Sequence, residues 1–121
     1  MNISITYDFN FESAHFIPEH PTCKNFHGHS YKGKATLTSP ELTNNMVLDY
    51  HILKDIINKS IIEKVDHKLL NDIEGLEYPS AEIIAKWCYV KLKEALLVFD
   101  NIILVSLEIN ETEKTSAIVT E

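Results

Sequence analysis

The chain contains few of the glycine and proline residues that favour disorder and few of the cysteines that form disulfides. Its 121 residues include only three glycines and four prolines, which leaves little room for disordered segments or long linkers. The length is that of one compact domain, so we expect residues 1–121 to form a single domain. The two cysteines, Cys23 and Cys88, are too few for a disulfide framework. Free thiols in a cytoplasmic protein are therefore expected.

Positive charge and long apolar runs are also scarce. Eleven Lys and Arg residues against 18 Asp and Glu residues give a net charge of -7, which argues against an extended phosphate-backbone interface and hence against nucleic acid as a partner. The longest apolar runs, such as residues 95–99, are too short to span a bilayer. The N-terminus lacks the basic and apolar regions of a signal peptide. We therefore expect no membrane partner.

Alternation of apolar and polar residues predicts four strands. Residues 2–12 alternate without a break, as in a half-buried antiparallel strand, and the same parity directs His15 towards the core. A second strand is predicted from His27 to Thr38, with His27 and His29 at the start of its inward face. A third is predicted from Ile102 to Asn110 or Glu111, and a short fourth over residues 115–119. The predicted inward face of the third strand comprises Ile103, Val105, Leu107, Ile109 and Glu111.

Two helices are predicted between the second and third strands. Asp49 is a plausible N-cap for the first helix, which fades near Val65, and Ser80 for the second. Apolar residues recur with helical spacing after each cap. The order strand, strand, helix, helix, strand, strand predicts an α+β fold with two helices on one face of a four-stranded antiparallel sheet.

Three histidines form the candidate metal site. His27 and His29 share one face of a predicted strand, and His15 lies at the inward end of the strand before it. Adjacent strands would bring the three imidazoles together. Three histidine ligands with no further protein ligand are typical of a catalytic zinc site, and we therefore expect Zn²⁺ here.

Four other residues offer chemistry, each with an alternative. Cys23 could close the zinc site as a fourth ligand, or stand beside an open site as a thiolate base or nucleophile. Asp66 and His67 could be an acid/base pair or an ordinary helix end. Glu111 could simply mark where the third strand leaves the core, or could recognise a ring with adjacent N–H donors, because a carboxylate accepts two parallel hydrogen bonds.

Several motifs together resemble the 6-pyruvoyl-tetrahydropterin synthase superfamily, most closely its 6-carboxy-5,6,7,8-tetrahydropterin synthase branch. The matching segments are Phe11-Glu12-Ser13-Ala14-His15, Cys23-x-x-x-His27-Gly28-His29-Ser30-Tyr31, Met46-Val47-Leu48-Asp49-Tyr50, Leu53-Lys54, Val65-Asp66-His67-Lys68-Leu69-Leu70-Asn71, Pro79-Ser80-Ala81-Glu82 and Ile109-Asn110-Glu111-Thr112. The resemblance as a whole runs from residue 3 to nearly the end of the chain. Each segment is weak evidence by itself, whereas the combination is specific.

The resemblance implies a fold, an assembly and a set of site residues. The fold is the tunnelling fold, in which trimers close their sheets into a barrel and two trimers stack into a homohexamer with active sites between subunits. Zinc ligation maps to His15, His27 and His29. The proton acceptor maps to Cys23 and the charge-relay pair to Asp66 and His67. The family glutamate maps to Glu111, which would anchor the pterin ring and is counted with the relay.

The implied reaction converts 7,8-dihydroneopterin triphosphate to 6-carboxytetrahydropterin, acetaldehyde and triphosphate, an early step towards 7-deazaguanine nucleosides such as queuosine. One alternative is the pyruvoyl branch, which eliminates triphosphate from the same substrate and keeps the two-carbon unit. Another is a non-catalytic zinc module with Cys23 as fourth ligand. A triphosphate requires a local basic patch in this acidic chain, and Lys24, Lys32 and Lys34 are candidates.

Overall fold

The structure is a computed structural model that describes residues 1–20 and 27–121, and the side chain of His27 is not described. Cys23 and Lys24 therefore lie outside the described residues. The elements are β1 (Ser4–His15), β2 (His27–Thr38), α1 (Tyr50–Ile57), α2 (Glu63–Val65), β3 (Lys68–Leu69), α3 (Ala81–Ala95), β4 (Ile103–Thr112) and β5 (Thr115–Thr120).

The first two strands form the long antiparallel pair that the alternation predicts. β1 and β2 pair in register from Ser4↔Thr38 to His15↔His27. Phe9, Phe11 and Tyr31 are buried on the inward face and pack with the helices in the core, whereas the intervening positions are exposed. The pairing confirms the α+β fold and the inward position of His15, which is completely buried.

The sheet has five strands rather than the predicted four, in the order β3-β1-β2-β4-β5. The additional strand, β3, is two residues long and runs parallel to β1, with Ser13↔Lys68 and Ala14↔Leu69 as partners. Two residues are too few to show the alternation by which a strand is recognised in a sequence. The sheet is consequently mixed.

A β-bulge overturns part of the predicted inward face of β4. Thr36 pairs with Ser106 but Leu37 pairs with Leu104, which leaves Val105 as an extra residue. The extra residue reverses the parity of the strand start. Leu104 is therefore 5% exposed, whereas Ile103 and Val105, predicted to face inward, are 48% and 38% exposed. Leu107 and Ile109, which follow the bulge, are fully buried as predicted.

Both predicted helix caps are present. The Asp49 carboxylate accepts from the backbone N–H of His51 at 2.7 Å, and the Ser80 hydroxyl accepts from that of Ile83 at 3.2 Å. The first helix continues from α1 through a π-helical turn, Asn58–Ile62, into α2. Its last residue, Val65, is the predicted end.

The second predicted helix is α3, which buries its inner side against the sheet. Cys88 lies in α3 and is fully buried, and burial raises the pKa of its thiol well above the ordinary value. A buried thiol of this kind packs as a small apolar side chain and is chemically inert. Within the described residues, every helix falls short of the length and apolar character required to cross a bilayer.

Gly33 is required by the aromatic packing between β1 and β2. It pairs with Phe9, and a Cβ at position 33 would overlap the Phe9 ring. We expect Gly33→Ala to lower the free energy of unfolding by about 1–3 kcal/mol, the usual range for forced overpacking. Gly28→Ala is the matched control on the same strand, because among the described residues its Cβ would meet nothing closer than the Ser13 carbonyl oxygen at 4.0 Å. Urea denaturation of both variants tests this, and equal midpoints would contradict it.

Candidate active site

His15 is held in one tautomer at the end of β1. Its Nδ1 lies 3.0 Å from the Pro79 carbonyl oxygen and 2.9 Å from the Tyr31 hydroxyl. A carbonyl oxygen can only accept, so Nδ1 is the nitrogen that carries the proton in the neutral imidazole, and Nε2 is the nitrogen directed at the cluster. Orientation of a ligand histidine through its second nitrogen is typical of metal sites.

His29 lies beside His15 because their strands are paired in register. His29 is opposite Ser13, two residues before His15. The two imidazole centroids are 4.9 Å apart with the rings nearly perpendicular, at 87°. The Tyr31 ring lies 5.8 Å from that of His15 and 5.5 Å from that of His29. Tyr31 is itself stacked on Phe11 at 5.0 Å, so a packed aromatic wall supports both imidazoles.

Glu111 approaches both histidines from β4. Its Oε1 is 3.7 Å from His15 Nε2 and 3.6 Å from His29 Nε2. A register shift between Asn110 and Thr112 leaves Glu111 without a pairing partner in β5. A β-bulge commonly redirects a side chain at an active site. Glu111, which the sequence places at the end of the inward face of this strand, thus also lies at a bulge.

These three side chains form a candidate metal-binding group. One ligand atom from each of His15, His29 and Glu111 lies within 4.8 Å of the others. Imidazole nitrogens and a carboxylate oxygen suit zinc and other divalent transition metals, and the Nε2 of His15, which faces Glu111, is oriented for ligation. The backbone of His27 lies directly opposite that of His15.

Asp66 and His67 form a hydrogen-bonded pair beside β1. Asp66 Oδ2 is 2.9 Å from His67 Nδ1, and Oδ1 accepts from the backbone N–H of Glu12 at 2.9 Å. The Glu12 N–H, helped by His67, lowers the pKa of the Asp66 carboxyl below its ordinary value. The backbone N–H of His67 in turn donates to the backbone carbonyl oxygen of Glu12 at 2.6 Å. The pair is thereby fixed to the strand that ends in His15.

An open cleft is lined by one member of the pair, His67, and by one member of the histidine cluster, His29. The cleft has a volume of about 550 Å³, and both His29 and His67 line it. Its other lining residues are Glu12, Ser13, Ala14, Gly28, Ser30, Lys68 and Leu69. That His67 and His29 line one cleft could not be predicted from periodicity. The parallel pairing of β3 with β1 brings the segment that follows His67 to this end of the strand.

Several supporting residues were not found by sequence reasoning. The side-chain amide of Asn71 accepts from the Phe16 N–H at 3.0 Å and donates to the Phe16 carbonyl at 2.8 Å, which fixes the chain just after His15. The Pro79 carbonyl and the Tyr31 hydroxyl orient His15. The position of a backbone carbonyl cannot be predicted from residue types. The sequence also does not distinguish Tyr31 from an aromatic residue that only packs in the core.

The lysines proposed for phosphate binding differ in their neighbours. Lys34 pairs with Asp8 on one side and Glu108 on the other. Lys32 pairs with Asn10 and Asn110, both neutral. Opposite charges on adjacent strands attract one another, so the positive charge at position 34 is compensated locally, whereas that at position 32 has neutral cross-strand partners.

Comparison with known proteins agrees with this architecture. A family model described as 6-pyruvoyl tetrahydropterin synthase matches residues 4–121. A protein of Synechocystis sp. named 6-carboxy-5,6,7,8-tetrahydropterin synthase is 39% identical over 94 residues, covering 73% of each chain. A protein of the same name from Aquifex aeolicus is 31% identical, covering 71% of this chain and 63% of its own. The structure of Caenorhabditis elegans 6-pyruvoyl tetrahydropterin synthase superposes with a TM-score of 0.86 at 24% identity, covering 100% of this chain and 96% of the other.

The Tyr31 hydroxyl offers a test of the ligand orientation. Tyr31→Phe removes one of the two oxygens near His15 Nδ1 and keeps the ring stack. We expect the affinity for zinc to fall by about tenfold, the lower end of the effect of outer-shell changes. Competition with a chromophoric chelator measures it. Tyr7→Phe is the matched control on the adjacent strand, and equal affinities in the two variants would contradict the expectation.

Proposed function

The chain belongs to the 6-pyruvoyl tetrahydropterin synthase family, and from that membership we propose that it is a zinc-dependent carbon–carbon lyase of the 6-carboxytetrahydropterin synthase type. It would convert 7,8-dihydroneopterin triphosphate to 6-carboxy-5,6,7,8-tetrahydropterin, acetaldehyde and triphosphate, on the route to 7-deazaguanine nucleosides. The convergence of His15, His29 and Glu111 carries the proposal. The names of the relatives from Synechocystis sp. and Aquifex aeolicus favour the carboxy product.

We propose His15, His27 and His29 as the zinc ligands. The tautomer of His15 and the perpendicular approach of His29 support ligation by these two. The in-register position of His27 opposite His15 supports the third, since opposite residues of an antiparallel pair lie on the same face of the sheet. Bound zinc would supply a Lewis acid that polarises a side-chain oxygen of the substrate.

Proton movement is assigned to Cys23 and His67. Asp66 accepts from His67 Nδ1, so Nε2 is left to exchange a proton with the substrate. His67 also lines the cleft that His29 enters. We assign the proton transfer on the other face of the substrate to the Cys23 thiolate, by resemblance to the family motif. Glu111 would accept two N–H bonds from the pterin ring.

Triphosphate binding falls to lysine in this chain, because all eleven basic residues are lysines and there is no arginine. Lys68 lines the same cleft as His67, and Lys32 has neutral cross-strand neighbours. We propose these two ahead of Lys34, whose charge is compensated by Asp8 and Glu108. We further propose a single domain over residues 1–121, a homohexamer of two trimers, and a cytoplasmic location.

The reaction product is the decisive measurement. Purified zinc-loaded protein is incubated with 7,8-dihydroneopterin triphosphate, and acetaldehyde is trapped as its hydrazone while the pterins are separated by chromatography. We expect acetaldehyde and the carboxypterin in equal amounts, with none from chelator-treated protein. Pyruvoyl product without acetaldehyde would move the chain to the other branch, which the family model's description also allows.

Substitution of Cys23 separates the enzyme from a closed zinc module. We expect Cys23→Ala to keep one zinc per chain and to lose about 100-fold or more in turnover, the usual effect of removing a proton-transfer group. Zinc content by atomic absorption and turnover by the product assay are measured together. Cys88→Ala is the thiol control, because Cys88 is buried in α3. Loss of zinc from Cys23→Ala would make Cys23 a ligand and refute its assignment as base.

A further inference from the structure

We propose that Glu111 exchanges between two partners: its carboxylate ligates the metal in the substrate-free protein and leaves it for the pterin ring when substrate binds. The inference rests on the proposed function, because it adds a second state to the same site. In this view Glu111 closes the resting metal site. Substrate binding would then open a coordination position only when a pterin is present to receive the carboxylate.

The distances within the cluster support ligation. Two atoms that each lie about 2.0 Å from a tetrahedral zinc are about 3.3 Å apart. Glu111 Oε1 is 3.7 Å from His15 Nε2 and 3.6 Å from His29 Nε2, only a few tenths of an ångström more. One oxygen makes both approaches. A single oxygen that faces both imidazoles is the arrangement expected of an atom that shares a metal ion with them.

The orientation of His15 agrees with this arrangement. Its Nδ1 lies 3.0 Å from the Pro79 carbonyl oxygen, so Nε2 is the ring nitrogen that faces Glu111. A ligand histidine is commonly oriented in this way through its second nitrogen.

The backbone at Glu111 permits the exchange. The bulge between Asn110 and Thr112 releases Glu111 from pairing with β5, and the pairing of β2 with β4 extends only as far as Lys32↔Asn110 at this end. The Glu111 side chain is 23% exposed, so it can also be reached from outside the cluster. A pterin edge that takes both carboxylate oxygens would turn Oε1 away from the histidines.

Metal affinity and cobalt spectroscopy test the resting state without turnover. The metal is removed by chelation, and zinc or Co²⁺ is titrated back into the native protein, Glu111→Gln and Glu108→Gln. Glu108 is the matched control, since it lies on the same strand beside Lys34 on the polar face. We expect Glu111→Gln to weaken zinc binding by about 10-fold or more, at least as much as loss of an outer-shell partner, and to change the visible Co²⁺ spectrum. Glu108→Gln should change neither.

A pterin without a side chain tests the exchange. Unsubstituted pterin has no hydroxyl or phosphate with which to approach the metal from the substrate chain. Added to the cobalt form of the native protein, it should shift the spectrum towards that of Glu111→Gln. Failure of pterin to bind, or binding with no spectral shift, would overturn the exchange.

Equal zinc affinity and identical spectra in native protein and Glu111→Gln would overturn ligation. The circular dichroism spectrum of each metal-free variant is recorded first. If it matches that of the native protein, a change in metal affinity cannot be attributed to misfolding. Failure of the proposed reaction gives a different result, namely no acetaldehyde from protein whose metal titrations behave as expected.

Discussion

The complete burial of His15 is the constraint on which the candidate site depends. An imidazole enclosed in a core costs about 1–3 kcal/mol for each polar atom without a partner, and the Pro79 carbonyl removes that cost at Nδ1. The bond requires the segment before α3 to lie against the end of β1. This one contact therefore links the start of the helix to the orientation of the His15 ring. The Pro79 to Glu82 segment thus both starts a helix, through the Ser80 cap, and sets which nitrogen of His15 is available.

The loop after the first helix fixes the same strand end from the other side. Asp66 accepts the Glu12 N–H, and the amide of Asn71 contacts both backbone groups of Phe16. These contacts lie on either side of His15 in the sequence. Hydrogen bonding to the strand backbone also explains why the Asp66 and His67 pair lies at the cleft, since the short parallel pairing at β3 leaves it little freedom. In this region the contacts that stabilise the fold also position the candidate proton-transfer pair.

Sequence reasoning succeeded where side-chain parity alone decides position. Twelve uninterrupted pairs between β1 and β2 carry the parity of Phe9 and Phe11 through to His15 and that of Tyr31 back to His29. It failed where one residue is added to a strand. The bulge at Val105 reversed the predicted faces of Ile103 and Leu104. A bulge depends on how the partner strand is registered, which no local pattern records. The two-residue β3 and the Pro79 carbonyl escaped prediction for the same reason, because tertiary contact defines them.

The candidate site combines rigid and adaptable groups in a way that follows from their backbone. His15 is fixed by a tautomer-defining bond, and the rings of His15 and His29 pack against Tyr31, which is stacked on Phe11. Such support keeps metal-ligand geometry constant during a reaction. Glu111 has three side-chain torsions, stands on a bulge, and is partly exposed. Conformational freedom of the side chain suits a carboxylate that exchanges between two partners. The same freedom in an imidazole that holds a metal would lower its affinity for the metal. The bulge, which has no signature in the local sequence, is thus the feature that distinguishes Glu111 from the two histidines it faces and that allows the exchange proposed for it.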